Sequence, residues 1–180
     1  LFGWKQENGL RKYRTAFIEV GRKNGKSTLC AAIGLYMLFS DDERGSEIFS
    51  AAGDRQQAGI VFEIAKQMIL SNKELTKRGK VFRNSITNES KGNFYPAISS
   101  DSKTKHGFNA NCIIFDELHT QPNRDLWDVL TTSTGARRQP LCIAITTAGF
   151  DKNSICYEIY NYAKQVQNKL IEDESFYSAI

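Results

Sequence analysis

The sequence predicts an α/β domain with a mostly parallel central sheet flanked by helices. Three observations carry that reading. Short β-branched or apolar stretches alternate with stretches of helical periodicity along the chain. Two of the strand-like stretches, Asn111 to Phe115 and Leu141 to Thr146, are almost continuously apolar, as expected for strands covered on both faces. Polar motifs rich in Gly, Asp, Glu and Thr each follow such a strand, and ligands bind at that end of strands in sheets of this kind.

Taken in order, Leu1 to Lys12 is an upstream segment carrying Phe2, Trp4 and Gln6. It reads either as a place for an adenine base, by stacking and amide hydrogen bonds, or as an edge segment packing its aromatics on the core. Thr15 to Val20 reads as a buried strand. Gly21 to Thr28 (GRKNGKST) is a loop entering a helix rich in Ala, Leu and Met that runs to Leu38. After a polar turn at Asp41 to Gly45, Glu47 to Ala52 reads as a second strand. Gly53-Asp54 caps a helix from Arg55 to Leu70, whose Ile60, Ile64 and Met68 recur at helical spacing. Ser71 to Ser90 is polar and mixed. Within and beyond it, Val81-Phe82 and Ser85 to Thr87 can form a hairpin with Asn93 to Ile98. A long polar loop, Ser99 to Ala110, leads into the strand that ends at Asp116-Glu117. Gln121-Pro122-Asn123 opens a helix from about Arg124 to Thr134, and a basic turn with Arg137 and Arg138 precedes the strand Leu141 to Thr146. Thr147-Ala148-Gly149 follows, then a helix from about Asn153 to Lys169 and the start of a further strand.

Composition bounds the function. At 180 residues the chain suits one domain with a real core, and 41% apolar and 24% charged residues exclude a disordered or fibrous chain. The net charge of +4 permits nucleic acid without arguing for it. From Leu1 to Lys26, seven Lys/Arg face two Glu, which reads as a solvated surface plus the phosphate site, with a nucleic-acid face as the alternative. The four cysteines, Cys30, Cys112, Cys142 and Cys156, lack C-x-x-C spacing and read as buried apolar residues of a reducing compartment. No signal peptide is visible. The longest apolar run, Ile33 to Phe39, is too short to span a bilayer. A chain that begins at Leu1 is expected to be a piece of a longer protein.

The chemistry begins in the first loop. Gly25, Lys26 and Ser27 supply the end of a phosphate-binding loop, G-x-x-x-x-G-K-[ST], between a strand and a helix. Backbone N–H groups at such a helix start attract anions. Gly25 lets the backbone approach phosphate, Lys26 reaches the β/γ oxygens, and the Ser27 hydroxyl is placed for Mg²⁺. The pattern departs from the standard form at its first glycine, where this chain has Val20, with Gly21 one place late. Asp116 and Glu117, at the end of an apolar strand, supply the complementary carboxylates: Asp116 for Mg²⁺ through water, and Glu117 to take a proton from the attacking water or orient it. Thr146 and Thr147 are placed to hydrogen-bond that water or the γ-phosphate.

The order GRKNGKST, SAAGDRQQA, KHGFNANCIIFDELH, ITTAG strongly resembles the ATPase domain of the large terminase subunits of tailed bacteriophages, over nearly the whole chain. The resemblance implies a P-loop fold of the additional-strand, catalytic-glutamate type. It also accounts for the irregular loop, because these loops place a basic residue early, here Arg22. It implies that residues 1–180 are a single ATPase domain, with Gly21, Arg22, Lys23, Asn24, Gly25, Lys26, Ser27 and Thr28 around ATP. Arg22, Lys26 and Glu117 are implied to be catalytic, Ser27 and Asp116 to hold Mg²⁺, and Thr146 and Thr147 to form the coupling motif. Double-stranded DNA, a portal protein, a small terminase subunit and a homo-oligomeric ring on the procapsid are the implied partners, with no membrane. The implied setting is the cytoplasm of a bacterial host, infected by the virus or carrying it as a prophage. Large terminases also carry a nuclease domain, which is not expected among these residues.

Two other readings remain open at this level. Asp116-Glu117-Leu118-His119 fits the D-E-x-H box of a helicase, although the loop lacks the helicase G-[ST]-G-K-T. A nucleotide-gated assembly module with little turnover would not need Glu117. A basic residue acting across subunits is expected from Lys105 with His106, in preference to Arg137 with Arg138, whose turn precedes its strand and so falls at the end of the sheet away from nucleotide.

Overall fold

The computed structural model describes residues 1–99, 107–149 and 151–180. Its elements run β1 (Thr15–Glu19), α1 (Lys26–Phe39), β2 (Glu47–Ala52), α2 (Arg55–Leu70), α3 (Lys73–Arg78), β3 (Lys80–Val81), β4 (Ser85–Asn88) and β5 (Asn93–Ser99). They continue with β6 (Ala110–Asp116), a 3₁₀ turn (Leu118–Thr120), α4 (Asp125–Thr132), β7 (Leu141–Thr146), α5 (Ile155–Gln167) and β8 (Phe176–Ala179). The strands form one sheet in the order β3-β4-β5-β2-β6-β7-β1-β8. From β5 to β8 every neighbouring pair is parallel, and β3 and β4 extend the β5 edge as an antiparallel hairpin. The expected parallel sheet and hairpin are therefore both present.

Strand periodicity sorts the core into two halves. Cys112 and Ile114 of β6, with Leu141, Ile143 and Ile145 of β7, pack under α1 and α2. Ile113 and Phe115, with Cys142 and Ala144, pack against the 3₁₀ turn, α4 and α5. This parity also aims the strand ends: Asp116 continues the α1 side, and Thr146 continues the α5 side. All four cysteines are buried free thiols. The Asp54 side chain accepts from the Gln57 N–H and starts α2, as its position before the periodic run predicts.

Three features add to the sequence reading. Lys73–Arg78, within the polar stretch, is a short helix capped by Asn72, whose side chain accepts from the N–H groups of Glu74 and Leu75. With hardly an apolar stripe, its sequence carries little periodic signal. In the upstream segment, the reading as an edge that packs an aromatic on the core holds for Phe2. The Phe2 ring packs 4.4 Å from that of Tyr36, in the last turns of α1, and Trp4 is 65% exposed. Ten residues of helix, roughly 15 Å, separate Tyr36 from the start of α1.

The third feature is a buried polar cluster that the sequence did not disclose. Arg11, 1% exposed, donates to Asp41 Oδ1 and, at 2.7 Å, to the carbonyl of Gln139. Gln139 and Asn111 donate in turn to the same carboxylate. The cluster clamps the upstream segment to the amino ends of β6 and β7. Arg11→Ala leaves Asp41 buried without its countercharge, so it is expected to cost about 3–5 kcal/mol of stability, measured by urea unfolding. Nearby, the Arg137 guanidinium donates to the carbonyls of Arg44, Gly45 and Asn109. It is thereby committed to the amino end of the sheet, as its place before β7 predicts. Lys105 and His106 lie outside the described residues.

Candidate active site

Four adjacent strand ends meet at the carboxyl edge of the sheet. β1 delivers the chain to an exposed loop, Gly21 to Gly25. The loop turns on two left-handed residues, Lys23 (φ 64°) and Gly25 (φ 72°), and the second is the residue from which α1 departs. Glycine adopts that conformation at little cost, which explains its place just before Lys26. No side chain caps α1, so the N–H groups of its first turn are open to an anion. Val20 donates its N–H to the Thr146 carbonyl at 3.0 Å, tying the loop to the end of β7. Asn24 braces the loop internally through the Gly21 carbonyl at 3.2 Å. Arg22 and Thr28 are exposed on its rim.

The two halves of the motif meet across the sheet edge. Ser27 Oγ donates to Asp116 Oδ2 at 2.7 Å. Asp116 is buried, and its other oxygen, Oδ1, has no hydrogen-bond partner among the described residues. Burial pushes the Asp116 carboxyl above the ordinary carboxylate range, and the charge of Glu117 adds to this; the Ser27 bond and Lys26 oppose it. A proton is therefore held more tightly in the folded state than in the unfolded chain. Ionised Asp116 costs stability above its folded pKa, and the cost is relieved as pH falls through that value. Asp116→Asn is accordingly expected to raise the melting temperature of the nucleotide-free protein at neutral pH. The gain should shrink as the pH is lowered into the carboxylate range, which calorimetry at a series of pH values measures.

Glu117 follows in an unusual backbone state. Its φ of 55° is left-handed, rare for a residue with a long side chain, and it turns the chain from β6 into the 3₁₀ turn. That turn packs closely on the loop after β2: a Cβ added at Gly53 would stand 2.2 Å from the Thr120 carbonyl oxygen. The Glu117 carboxylate is divided between two sets of donors. Oε1 faces Lys26 Nζ at 3.3 Å. Oε2 accepts from the Thr147 N–H at 3.1 Å and its hydroxyl at 3.3 Å, with His119 Nδ1 also at 3.3 Å. Lys26, buried, donates in addition to the Gly21 carbonyl. The loop lysine and the strand-end glutamate thus form an ion pair.

Thr146 and Thr147 part company at the end of β7. Thr147 reaches Glu117. Thr146 is fully buried; its hydroxyl donates to the Thr147 carbonyl at 2.9 Å and stands 2.9 Å from His119 Nδ1. Of the residues the sequence singled out, Lys26, Ser27, Asp116, Glu117 and Thr147 are brought into one constellation, and Thr146 joins it through His119. Gly21, Lys23, Asn24 and Gly25 shape the loop beside it. His119 entered the sequence reading only as the last letter of a motif box. The signal that could have placed it is its position in the turn right after the strand-end carboxylates, on the side Thr146 faces.

A strand–loop–helix phosphate site opposed by two strand-end carboxylates, on this strand order, defines a P-loop nucleoside triphosphatase carrying a glutamate beside its aspartate. The chain belongs to the family described as terminase large subunit, ATPase domain, whose sequence model matches residues 1–165. It is 36% identical to the terminase large subunit of Enterobacteria phage HK97 over 141 residues, a match covering 73% of this chain and 27% of that protein. The crystal structure of the HK97 large terminase superposes with a TM-score of 0.81 at 28% identity, over 93% of this chain and 35% of that one. The large terminase of a thermophilic bacteriophage, solved in complex with ADP, shares the fold at a TM-score of 0.63 and 11% identity, over 93% of this chain and 40% of that one. The chain thus spans about a quarter to two fifths of the length of these relatives.

Proposed function

We propose that residues 1–180 act as one ATP-hydrolysing unit and that, in the full-length large subunit, hydrolysis drives double-stranded DNA into a procapsid. The observation that carries this is the meeting of Lys26, Ser27, Asp116 and Glu117 at one sheet edge, where a γ-phosphoryl group and a water can be held between them. Family membership supports the same reading, as does the ADP complex of the thermophilic phage protein.

Phosphate bound at the loop competes with Glu117 for the Lys26 ammonium. Once Lys26 turns to the β/γ oxygens, Glu117 Oε1 is free to accept a proton from the attacking water. Arg22, on the rim, adds positive charge against the transferring group, and the remaining loop residues and Thr28 surround the phosphates.

The residues fit Mg²⁺ on grounds of their own. Asp116 presents a buried oxygen without a partner beside the Ser27 hydroxyl. Among the described residues no three His, Cys, Asp or Glu side chains gather into a metal cage, which suits an ion completed by nucleotide oxygens and water. When bound, Mg²⁺ supplies neutralising charge to the phosphates; Ser27 and Asp116 would hold it.

The partners that fit this reading are the portal protein, the small terminase subunit and further copies of the large subunit in a ring, in the host cytoplasm. Among the described residues no helix is long and apolar enough to cross a membrane. DNA cutting is not assigned to these residues. A packaging assay tests the translocation part: full-length protein with procapsids, small subunit and linear DNA should protect DNA from nuclease with ATP, but not with a non-hydrolysable analogue. ATP turnover without any protected DNA would overturn it.

A further inference from the structure

We propose that His119 is a positioning residue for Glu117: it anchors one carboxylate oxygen, leaves the other for proton transfer, and ties both to the end of β7. This rests on the ATPase reading above and deepens it.

The protonation of the ring follows from the hydrogen bonds around Thr146. Its hydroxyl has one proton, and that proton is directed at the Thr147 carbonyl at 2.9 Å. Thr146 Oγ1 must therefore accept from its other neighbours, so His119 Nδ1, 2.9 Å away, carries the hydrogen. The same Nδ1 is 3.3 Å from Glu117 Oε2. The N–H group thus bonds the strand-end threonine, while its nitrogen stands against the carboxylate. The backbone N–H of His119 points to the same Thr146 oxygen at 3.4 Å, adding a second tether from the 3₁₀ turn to β7.

The asymmetry of Glu117 gives this contact a purpose. Oε2 is held by both donors of Thr147 and has His119 Nδ1 against it at 3.3 Å. Among the described residues Oε1 is paired with the ammonium of Lys26, at the end of a flexible stem. A nucleotide that captures Lys26 releases Oε1 and leaves Oε2 in place, so Oε1 is the oxygen that receives the proton from water. Such anchoring is needed because Glu117 sits at a left-handed backbone position, where no strand or helix ladder fixes the direction of the side chain. The surroundings allow little slack: a Cβ at Gly149, two residues beyond Thr147, would stand 3.1 Å from His119 Cβ. Thr146 also relays the arrangement toward α5, whose Cys156 thiol lies 3.9 Å from its hydroxyl.

The test uses the full-length large subunit and steady-state ATP turnover, with His119→Leu, His119→Asn and Lys26→Ala made in parallel. Asn can offer an N–H near the place of Nδ1; Leu cannot. His119→Leu is expected to lower kcat about 10- to 100-fold, the scale on which groups orienting a reacting ligand act, with KM for ATP within about twofold because no phosphate contact is lost. His119→Asn should recover most of that kcat. Thr146→Val in the His119→Leu background should cost little more, since the shared link is already broken. Binding of a fluorescent ATP analogue and the melting temperature report folding of each variant; if Leu does not fold, the kcat of the Asn variant with and without Thr146→Val decides. Wild-type kcat in folded His119→Leu, or equal loss in Leu and Asn, overturns the role of His119. Undiminished turnover in Lys26→Ala overturns instead the ATPase reading on which it rests.

Discussion

Lys26→Ala is expected to abolish measurable ATP turnover in the full-length protein. The ammonium is the charge placed to neutralise the β/γ oxygens, and groups of this kind contribute on the order of 3–4 kcal/mol to the transition state, or about 10²–10³ in rate. The structure adds a second consequence. Lys26 faces Glu117 Oε1 at 3.3 Å, so its removal also takes the countercharge from that oxygen. Phosphate release followed by a coupled assay measures the loss, with the analogue-binding signal reporting how far nucleotide affinity falls. Turnover at the wild-type rate would remove this loop from the reaction.

Glu117→Gln is expected to separate binding from chemistry. Gln keeps the shape and can still accept from Thr147, but it cannot take a proton from water. A general base contributes about 10²–10⁴ in rate, so hydrolysis should slow by that factor while nucleotide binding persists. Binding should tighten slightly, because the phosphates no longer compete with a carboxylate for Lys26. Asp116→Asn should behave oppositely, weakening Mg²⁺-dependent binding. Isothermal titration with and without Mg²⁺, beside single-turnover hydrolysis, distinguishes the two. Equal loss of binding in both variants would contradict the division of roles between the adjacent carboxylates.

How much of this was legible in the sequence depends on how local the signal is. The parallel sheet was legible because Cys112 to Phe115 and Leu141 to Thr146 are apolar on both faces, which few structures other than a covered strand allow. Ser27 and Asp116 could be paired from motif chemistry, and strand parity explains why: Cys112, Ile114 and Asp116 share the α1 side. The role of His119 was not legible. It depends on the left-handed turn at Glu117, which breaks the strand parity that would otherwise orient the next side chains, and on a threonine that lies far away in sequence. The Arg11–Asp41–Gln139 cluster escaped for a similar reason, since its partners come from three separate segments and charged residues are ordinarily read as surface. The aromatics near the amino terminus were legible as apolar surface but not as to which end of α1 they cover. That choice is fixed by the same Arg11 cluster.

Steady-state phosphate release by the full-length large subunit, measured with and without DNA and procapsid partners, tests the assignment of this edge of the sheet to ATP hydrolysis most directly. The geometry of Lys26, Ser27, Asp116 and Glu117 predicts Mg²⁺-dependent release that is lost in both Lys26→Ala and Glu117→Gln. A protein that binds ATP tightly, assembles on its partners, and still releases phosphate no faster than the Lys26→Ala variant would contradict it, and would make the domain a nucleotide-gated docking module.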